Sequence, residues 1–499
     1  MCGISGIFSN QDIGDDLLWK IASSMNHRGP DFQAFKRFGH FYLIHARLSI
    51  LDLNPRSNQP MVDRENTVAV CFNGEIYNFN ELRIELESLG HHFQTTSDTE
   101  VVLLGFKQWK DALFPKLNGI FSIALLDLVK DELFLVRDPS GTKPLFYSYK
   151  SGCFAFSSEL KAQLMLPWIS KEVDNHSLFY FLKFSHVPHP NTMLKEIKQL
   201  EPSAYLKFSK NSFSIQSYAP KTQSLFTSKP FTETVVDLDN LFENIVKRQM
   251  VADVPVGCFL SGGIDSSLIC YYHTKLSTHK VKTFTIGYSE KEFDESVYAK
   301  EISRFFGTEH FELILKPADL INEVSNLPKF FDHPFADPTM LPSLLLAKHA
   351  AKEVKVVFSG DGGDELFFGY HYQSILLHTL SLINIPNPIR SSLLDFINLL
   401  LSRFSKNNLS IQRIRKFLDI FTAKDQAEFM QYFIGTIGPL KISRLNSLLK
   451  QPSNQTTLPI IQAISHAKTT NEEKIFQLFK STFLVNCALQ KNDRSTMAY

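Results

Sequence analysis

The sequence predicts two domains of different class: an α+β domain built mainly on antiparallel strands, then a parallel α/β domain with added helices. Three observations carry this expectation. A chain of 499 residues exceeds what one hydrophobic core usually supports. Short apolar or alternating runs bounded by Gly, Asn or Pro fill the first 160 positions. From about residue 230 onward, strand patterns alternate with helical ones, the signature of a parallel sheet.

In chain order, strands are expected at Gly3–Phe8, Phe41–Ala46, Thr67–Phe72, Ile120–Leu126, Leu133–Arg137 and Phe154–Ser157, with helices at Asp16–Met25, Asn80–Leu89 and Asp98–Trp109 between them. The first domain is assigned to 2–205. Residues 206–230, rich in Ser, Lys, Thr and Pro and without long apolar periodicity, are assigned as the linker, and 231–499 as the second domain. The latter opens on a helix with Val235, Leu238, Leu241, Phe242, Ile245 and Val246 at three- and four-residue spacing. A strand, a glycine turn and a helix follow, then a strand at Val281–Gly287, helices at Glu295–Phe306 and near Pro342–Glu353, and a strand at Val354–Ser359. Beyond residue 372 the segments read as helices.

Apolar content of 44%, charged content of 21% and a net charge of +1 with both signs interspersed give no electrostatic footprint for nucleic acid or an anionic membrane. Small-molecule chemistry is therefore expected, and a homodimer is compatible with it. Six cysteines lie far apart with no CxxC pair, which suggests reduced thiols, a cytoplasmic compartment and no zinc site. The most apolar late stretch, Leu376 to Leu401, is broken by Pro386, Pro388, His378 and Arg390, so neither a signal peptide nor a membrane span is expected.

The chemistry begins at Cys2. Removing one methionine would put a thiol and a free α-amine on the same residue, and an α-amine titrating near ~7.7–8.0 can take the proton of a thiol near ~8.5. Behind Cys2 stand His27-Arg28-Gly29-Pro30-Asp31, Arg47-Leu48-Ser49-Ile50, Asn73-Gly74-Glu75 and Ser97-Asp98-Thr99-Glu100. Each alone has a structural explanation: a buried small Cys, a surface ion pair at Arg47, a tight hairpin turn at Asn73-Gly74, a helix N-cap at Asp98. Together, in this order, the region resembles the class II glutamine amidotransferases, whose fold is a four-layer αββα sandwich. The resemblance implies Cys2 as nucleophile and the Asn73 side-chain amide with the Gly74 N–H as oxyanion donors. It also implies a glutamine site of Arg47, Leu48, Ser49, Ile50, Asn73, Gly74, Glu75 and Asp98, Arg47 forking the carboxylate while Asp98 and Glu75 neutralise the ammonium.

In the second half an apolar strand runs into Leu260-Ser261-Gly262-Gly263-Ile264-Asp265-Ser266 and then into a helix, so that backbone N–H groups and a helix N-terminus can close on a phosphate. There is no Gly-Lys-Ser/Thr ending. The stretch looks like the pyrophosphate loop of ATP pyrophosphatases. A second loop, Ser359-Gly360-Asp361-Gly362-Gly363-Asp364-Glu365, packs three carboxylates into five residues, which is costly without a cation. With it the whole chain resembles the glutamine-hydrolysing asparagine synthetases. That resemblance implies ATP bound by Leu260, Ser261, Gly262, Gly263, Asp265, Ser266, Ile286, Ser359, Gly360 and Lys491, Mg²⁺ on Asp265 and Asp364, a catalytic Asp361, and glutamine, aspartate and ATP as substrates.

Two departures qualify it. Asp361 stands where the family usually has Glu, which keeps open an acceptor other than aspartate, such as a sugar acid or antibiotic precursor. Lys491-Asn492-Asp493-Arg494-Ser495-Thr496-Met497-Ala498-Tyr499 matches only the start of a family motif. A truncated chain is therefore expected, with a frayed end, Lys491 and Arg494 poorly positioned, and in the extreme only the glutaminase half at work.

Overall fold

The computed structural model describes residues 2–219, 229–290, 292, 294–402, 414, 418, 420–435 and 457–499. Twelve strands build two antiparallel sheets in the first domain. One takes Ile197–Gln199, Phe146–Lys150, Cys153–Ser157, Gly3–Phe8, Phe41–Arg47 and Phe32–Phe38 in that spatial order. The other takes Ser212–Ser217, Ala204–Ser209, Glu132–Arg137, Gly119–Asp127, Val68–Ile76 and Met61–Val62. Period-two alternation decides which face each side chain buries. Along Val68–Ile76, Ala69 and Cys71 meet Ile4, Leu43 and Phe154 between the sheets, while Val70 and Phe72 turn outward to the helices Phe79–Ser88 and Asp98–Trp109. Ile7, Tyr42 and Ile44 turn out from the first sheet to the helix Asp15–Ser24. Four layers, αββα, result.

The linker assignment needs correction. Ala204–Ser209 and Ser212–Ser217 form a hairpin that runs from the assigned first domain into 206–230 and extends the second sheet. Leu206 and Phe208 are buried between the sheets, and Phe213 packs on Tyr147 and Phe154, which holds a stretch otherwise rich in Ser and Lys. The rest of that assignment, 220–228, lies outside the described residues. Helix Asn175–Phe184 also departs from its sequence neighbours: Phe179, Tyr180 and Phe184 pack with Leu376, Leu380 and Phe429 of the second domain's helical layer.

The second domain holds a four-stranded sheet, Glu309–Leu315, Lys282–Tyr288, Val256–Phe259 and Val356–Phe358, parallel throughout. Val256–Phe259 is the first of the four in sequence but third in space, so the chain runs to one side of it and then crosses to the other. That makes its C-terminal end a topological switch point, where open α/β sheets leave a crevice for ligands. Helix Phe231–Gln249 is only half used by the core: Val246 is buried and Phe242 stacks on Tyr272, while Val235 and Leu241 stay exposed. Among the described residues no helix is long and apolar enough to cross a membrane.

The expected frayed end is also overturned. Leu489–Thr496 is a helix that packs on Met340–Ala350 and carries buried Gln490, Asp493, Arg494 and Ser495. Arg494 Nη1 donates to Asp332 Oδ1 at 3.0 Å and Lys491 Nζ to Thr339 Oγ1 at 2.9 Å. The buried Arg494–Asp332 ion pair ties down the segment that its stop inside the motif led one to expect loose.

Candidate functional site

Gly3–Phe8 is hydrogen-bonded in the middle of its sheet, and this brings Cys2 to the end of Val68–Ile76 in the facing sheet. The Cys2 backbone N–H donates to Asn73 Oδ1 at 3.0 Å, and Asn73 Nδ2 donates to Ser122 Oγ at 3.3 Å. Asn73 and Gly74 lie within a strand, opposite Ser122 and Phe121, and not in a hairpin turn. The strand needs glycine there, since a Cβ on Gly74 would fall 2.1 Å from the Ile120 carbonyl oxygen. Cys2 is buried, and burial pushes its thiol up.

Cys2, Arg47, Leu48, Ile50, Gly74, Glu75 and Asp98 line one cavity of about 30 Å³, room for little more than a water. Ser49 does not line it; its N–H is held by Asp31 Oδ2 at 2.7 Å. The guanidinium of Arg47, expected as a free fork, is engaged by the Asn54, Leu51 and Asp52 carbonyls and by Asn58 Oδ1 at 2.6–3.4 Å. Opposite it, burial and the nearby Glu75 charge raise the Asp98 carboxyl to about 7, although Asp98 Oδ2 accepts the Ile76 N–H at 3.1 Å. Burial likewise raises Glu75, whose Oε1 has no hydrogen-bond partner. Two buried carboxyls aimed at one small space are a receptor for a cation.

Two contributors were missed in the sequence. Gln59 accepts the Phe72 N–H at 2.6 Å and donates to Thr99 Oγ1 at 3.2 Å, so it ties the strand under the cavity to the helix of Asp98. Arg28 donates from Nε to the Cys2 carbonyl at 3.2 Å. His27-Arg28-Gly29-Pro30-Asp31 was visible as a motif; nothing in it pointed to the carbonyl of residue 2.

The second cavity, of about 960 Å³, opens at the switch point. Leu260, Ser261, Gly263, Asp265, Ser266, Ile286, Ser359, Gly360, Asp361, Asp364 and Lys491 all line it. Gly262 stands behind them with φ +82°, where a Cβ would lie 2.7 Å from that of Tyr298. The loop is closed by Ser266 Oγ, which bonds Ser261 N at 3.2 Å, Ser261 Oγ at 2.9 Å and the Gly263 carbonyl at 3.2 Å. This leaves the loop's remaining N–H groups at the start of helix Ile264–Leu276 for an anion. The two loops touch because Cys258 and Phe358 are partners in the sheet: a Cβ on Gly360 would come 2.7 Å from Ser266 N, and one on Gly363 2.5 Å from the Asp265 carboxylate. Burial and the Asp364 charge raise the Asp265 carboxyl above its ordinary range. Neighbouring hard oxygen donors that repel one another fit a divalent cation such as Mg²⁺. Asp337, Thr339, Tyr370 and Cys487 also line this cavity and carried no sequence signal.

Residues 1–219 match the glutamine amidotransferase domain family and residues 237–499 match the asparagine synthase family. Glutamine-hydrolysing asparagine synthetase 1 of Bacillus subtilis is 34% identical over 406 residues, 79% of this chain and 63% of the relative. A putative glutamine-hydrolysing asparagine synthetase 2 of Methanocaldococcus jannaschii is 33% identical over 398 residues, 74% of this chain and 76% of the relative. The chain thus spans about 63% of the length of the Bacillus protein. A glutamine phosphoribosylpyrophosphate amidotransferase from B. subtilis, solved with ADP and GMP, superposes at 15% identity and a TM-score of 0.34, covering 64% of this chain and 70% of that one. With one family model covering more than half of its length, and the amidotransferase domain preceding it, the chain belongs to the asparagine synthase family.

Proposed function

We propose that this chain is a glutamine-dependent asparagine synthetase. After loss of Met1, the Cys2 amine is held by Asn73 Oδ1 beside its own thiol and takes the thiol proton as Sγ attacks the glutamine amide carbon. Asn73 and the Gly74 N–H stabilise the oxyanion, Asp98 and Glu75 hold the substrate ammonium, and Arg47 takes its carboxylate by exchanging main-chain acceptors for it. Ammonia leaves with the proton, and water hydrolyses the glutamyl thioester to glutamate. A cavity of about 30 Å³ admits glutamine only after the Leu48–Leu51 segment moves outward.

In the second cavity the Gly262 N–H and those that open helix Ile264–Leu276 bind the pyrophosphate end of ATP, with Leu260 and Ile286 against the adenine and Ser359-Gly360 against the nucleoside. Mg²⁺ held by Asp265 and Asp364 would neutralise phosphate charge. The aspartate β-carboxylate attacks the α-phosphorus and expels pyrophosphate, and ammonia displaces AMP from the resulting adenylate to give asparagine. Asp361 takes the proton lost by the incoming ammonia. Lys491 meets the leaving pyrophosphate.

The observation that carries this reading is the joint occurrence of both half-sites in one chain, a buried thiol beside a receptor for a cation and a loop pair built for nucleotide and metal. Asp361, one methylene shorter than a glutamate and exposed on the cavity wall, favours as a second reading an acceptor other than aspartate. Pyrophosphate release from ATP with glutamine and aspartate, with glutamate followed in the same tube, tests both. Matched release of the two supports the synthetase; pyrophosphate only with a different carboxylate supports the second reading; glutamate alone contradicts both.

A further inference from the structure

Helix Leu489–Thr496 presents two unlike faces to two unlike sites. Lys491, Asn492, Ser495 and Thr496 line the nucleotide cavity. Asp493 follows Lys491 by two residues, about 200° around the helix, and points the other way. There it meets the first domain: Arg28 Nη2 donates to both of its carboxylate oxygens, at 3.0 and 2.8 Å, and Lys143 Nζ donates to Oδ1 at 2.8 Å. Arg28 and Lys143 both belong to the amidotransferase domain, 115 positions apart in sequence, and all three groups are buried. All three nitrogens of the guanidinium are engaged, with Nη1 on Glu159 at 3.1 Å and Nε on the Cys2 carbonyl at 3.2 Å. One rigid helix therefore stands between the pyrophosphate side of the nucleotide cavity and the backbone of the thiol.

We propose that Asp493 is a positioning residue for glutamine hydrolysis, supplied by the second domain, and that through Arg28 it couples occupancy of the nucleotide cavity to the reactivity of Cys2. A side chain on the synthetase half thus completes the support of the amidotransferase nucleophile. Ligand that draws Lys491 toward the cavity moves the helix as a body, because eight residues of continuous helix do not bend between positions 491 and 493. Movement of Asp493 is passed to Arg28, which has no slack: its other donors are held by a buried carboxylate and by the carbonyl of Cys2. Arg494 anchors the same helix to Asp332, whose Oδ2 accepts the Lys161 N–H at 2.9 Å, so the pivot itself bears on the first domain. The proposal rests on the reading of Cys2 as nucleophile and of the second cavity as the ATP site, but its test does not require asparagine to form.

Two rates are measured on the full chain, with and without ATP and Mg²⁺: glutamate release from glutamine, and alkylation of Cys2 by iodoacetamide followed by peptide mass spectrometry. Nucleotide binding is checked by equilibrium dialysis. In the wild type, ATP and Mg²⁺ are expected to change both rates by about fivefold or more. In Asp493→Asn the basal kcat of glutamate release falls by roughly 10–100-fold, as for other groups that orient a reacting one. The glutamine KM stays within about threefold because Arg47 and Asp98 are untouched, and the nucleotide response disappears. Asp493→Glu, which keeps the carboxylate, restores most of both. A purely structural salt bridge would lower the thermal midpoint and leave the nucleotide response of the surviving folded protein intact. The proposal is overturned if Asp493→Asn keeps the wild-type basal rates, or if nucleotide binds the wild type and Cys2 alkylation ignores it. Should Asp493→Asn not fold, the wild-type alkylation response decides alone. Should dialysis show no nucleotide binding, the ATP reading fails, and the basal rates of Asp493→Asn still decide the positioning role.

Discussion

The two halves of this molecule solve opposite problems. Around Cys2 the cavity is about 30 Å³, Glu75 Oε1 has no hydrogen-bond partner, and Arg47 spends its guanidinium on three nearby carbonyls and the Asn58 side chain. At the switch point of the parallel sheet the cavity is about 960 Å³ and Ser261, Gly263 and Asp361 are exposed, while a neighbouring carboxylate raises Asp265 here as Glu75 raises Asp98 there. The first cavity is small and closed by its own loop; the second is large and lined by exposed polar groups. An acyl transfer through a thiol profits from fixed donors and exclusion of water. Nucleotide activation needs room and a cation.

The comparison can be broken at its rigid end first. Asn73→Ala removes the proposed oxyanion donor and the acceptor of the Cys2 N–H together, so glutamate release is expected to fall by about 10²–10³ in kcat, with ammonia-dependent pyrophosphate release unchanged. A fall of less than tenfold would mean that Asn73 serves the strand and not the chemistry. At the open end, Asp265→Asn is expected to weaken Mg²⁺-dependent pyrophosphate release by roughly 10–100-fold, partly recovered at high Mg²⁺, with glutamate release without ATP unaffected. Loss of both activities would point to a folding defect.

The smallest effect sharpens the contrast between a site built for function and a fold built for stability. Asp98 has a folded pKa of about 7, well above its unfolded value near ~3.9. Between these values the native state binds the proton and the unfolded state does not, so stability from this group falls as pH rises from 4 to 7. Asp98→Asn abolishes that loss. Its thermal midpoint is expected to exceed the wild type's at pH 8, the gain shrinking toward pH 5, while the glutamine KM rises. Parallel Tm curves for the two proteins would show that Asp98 is ionised in the folded state and that the Glu75–Asp98 pair is not strained.

Much of this was legible because the signals were local. Gly3–Phe8, Asp98–Trp109 and the strand–loop–helix around Ser261 have apolar periodicity and glycine punctuation that tertiary packing did not override. The missed elements lack such signals. Ser212–Ser217 is an edge strand with every residue exposed, and Asn175–Phe184 is held by side chains more than 190 positions away. Asn73-Gly74 carries a turn signature but sits in a strand, because its partners Ser122 and Phe121 come from a distant hairpin. Residues of the short motifs, such as Ser261, Asp265 and Ser359, come together on the wall of one cavity. Those set by long-range contact, such as Gln59, Arg28 and Asp493, could not be read, since an ion pair 465 positions apart leaves no mark on either stretch alone. The ordered last helix belongs to the same class: a stop inside the motif suggested fraying, and the pairing of Asp493 with Arg28 and Lys143 and of Arg494 with Asp332 prevents it.

The most direct test of the two-site account is pyrophosphate release by Cys2→Ala, with glutamine or with ammonium as nitrogen source at pH 8. The account predicts that glutamine no longer supports release and yields no glutamate, with a loss of about 10⁴-fold or more as for other removed nucleophiles, while ammonium restores release to near the wild-type rate. Glutamine-dependent release that survives the substitution, or ammonium that fails to restore it in a protein that still binds ATP, would contradict it.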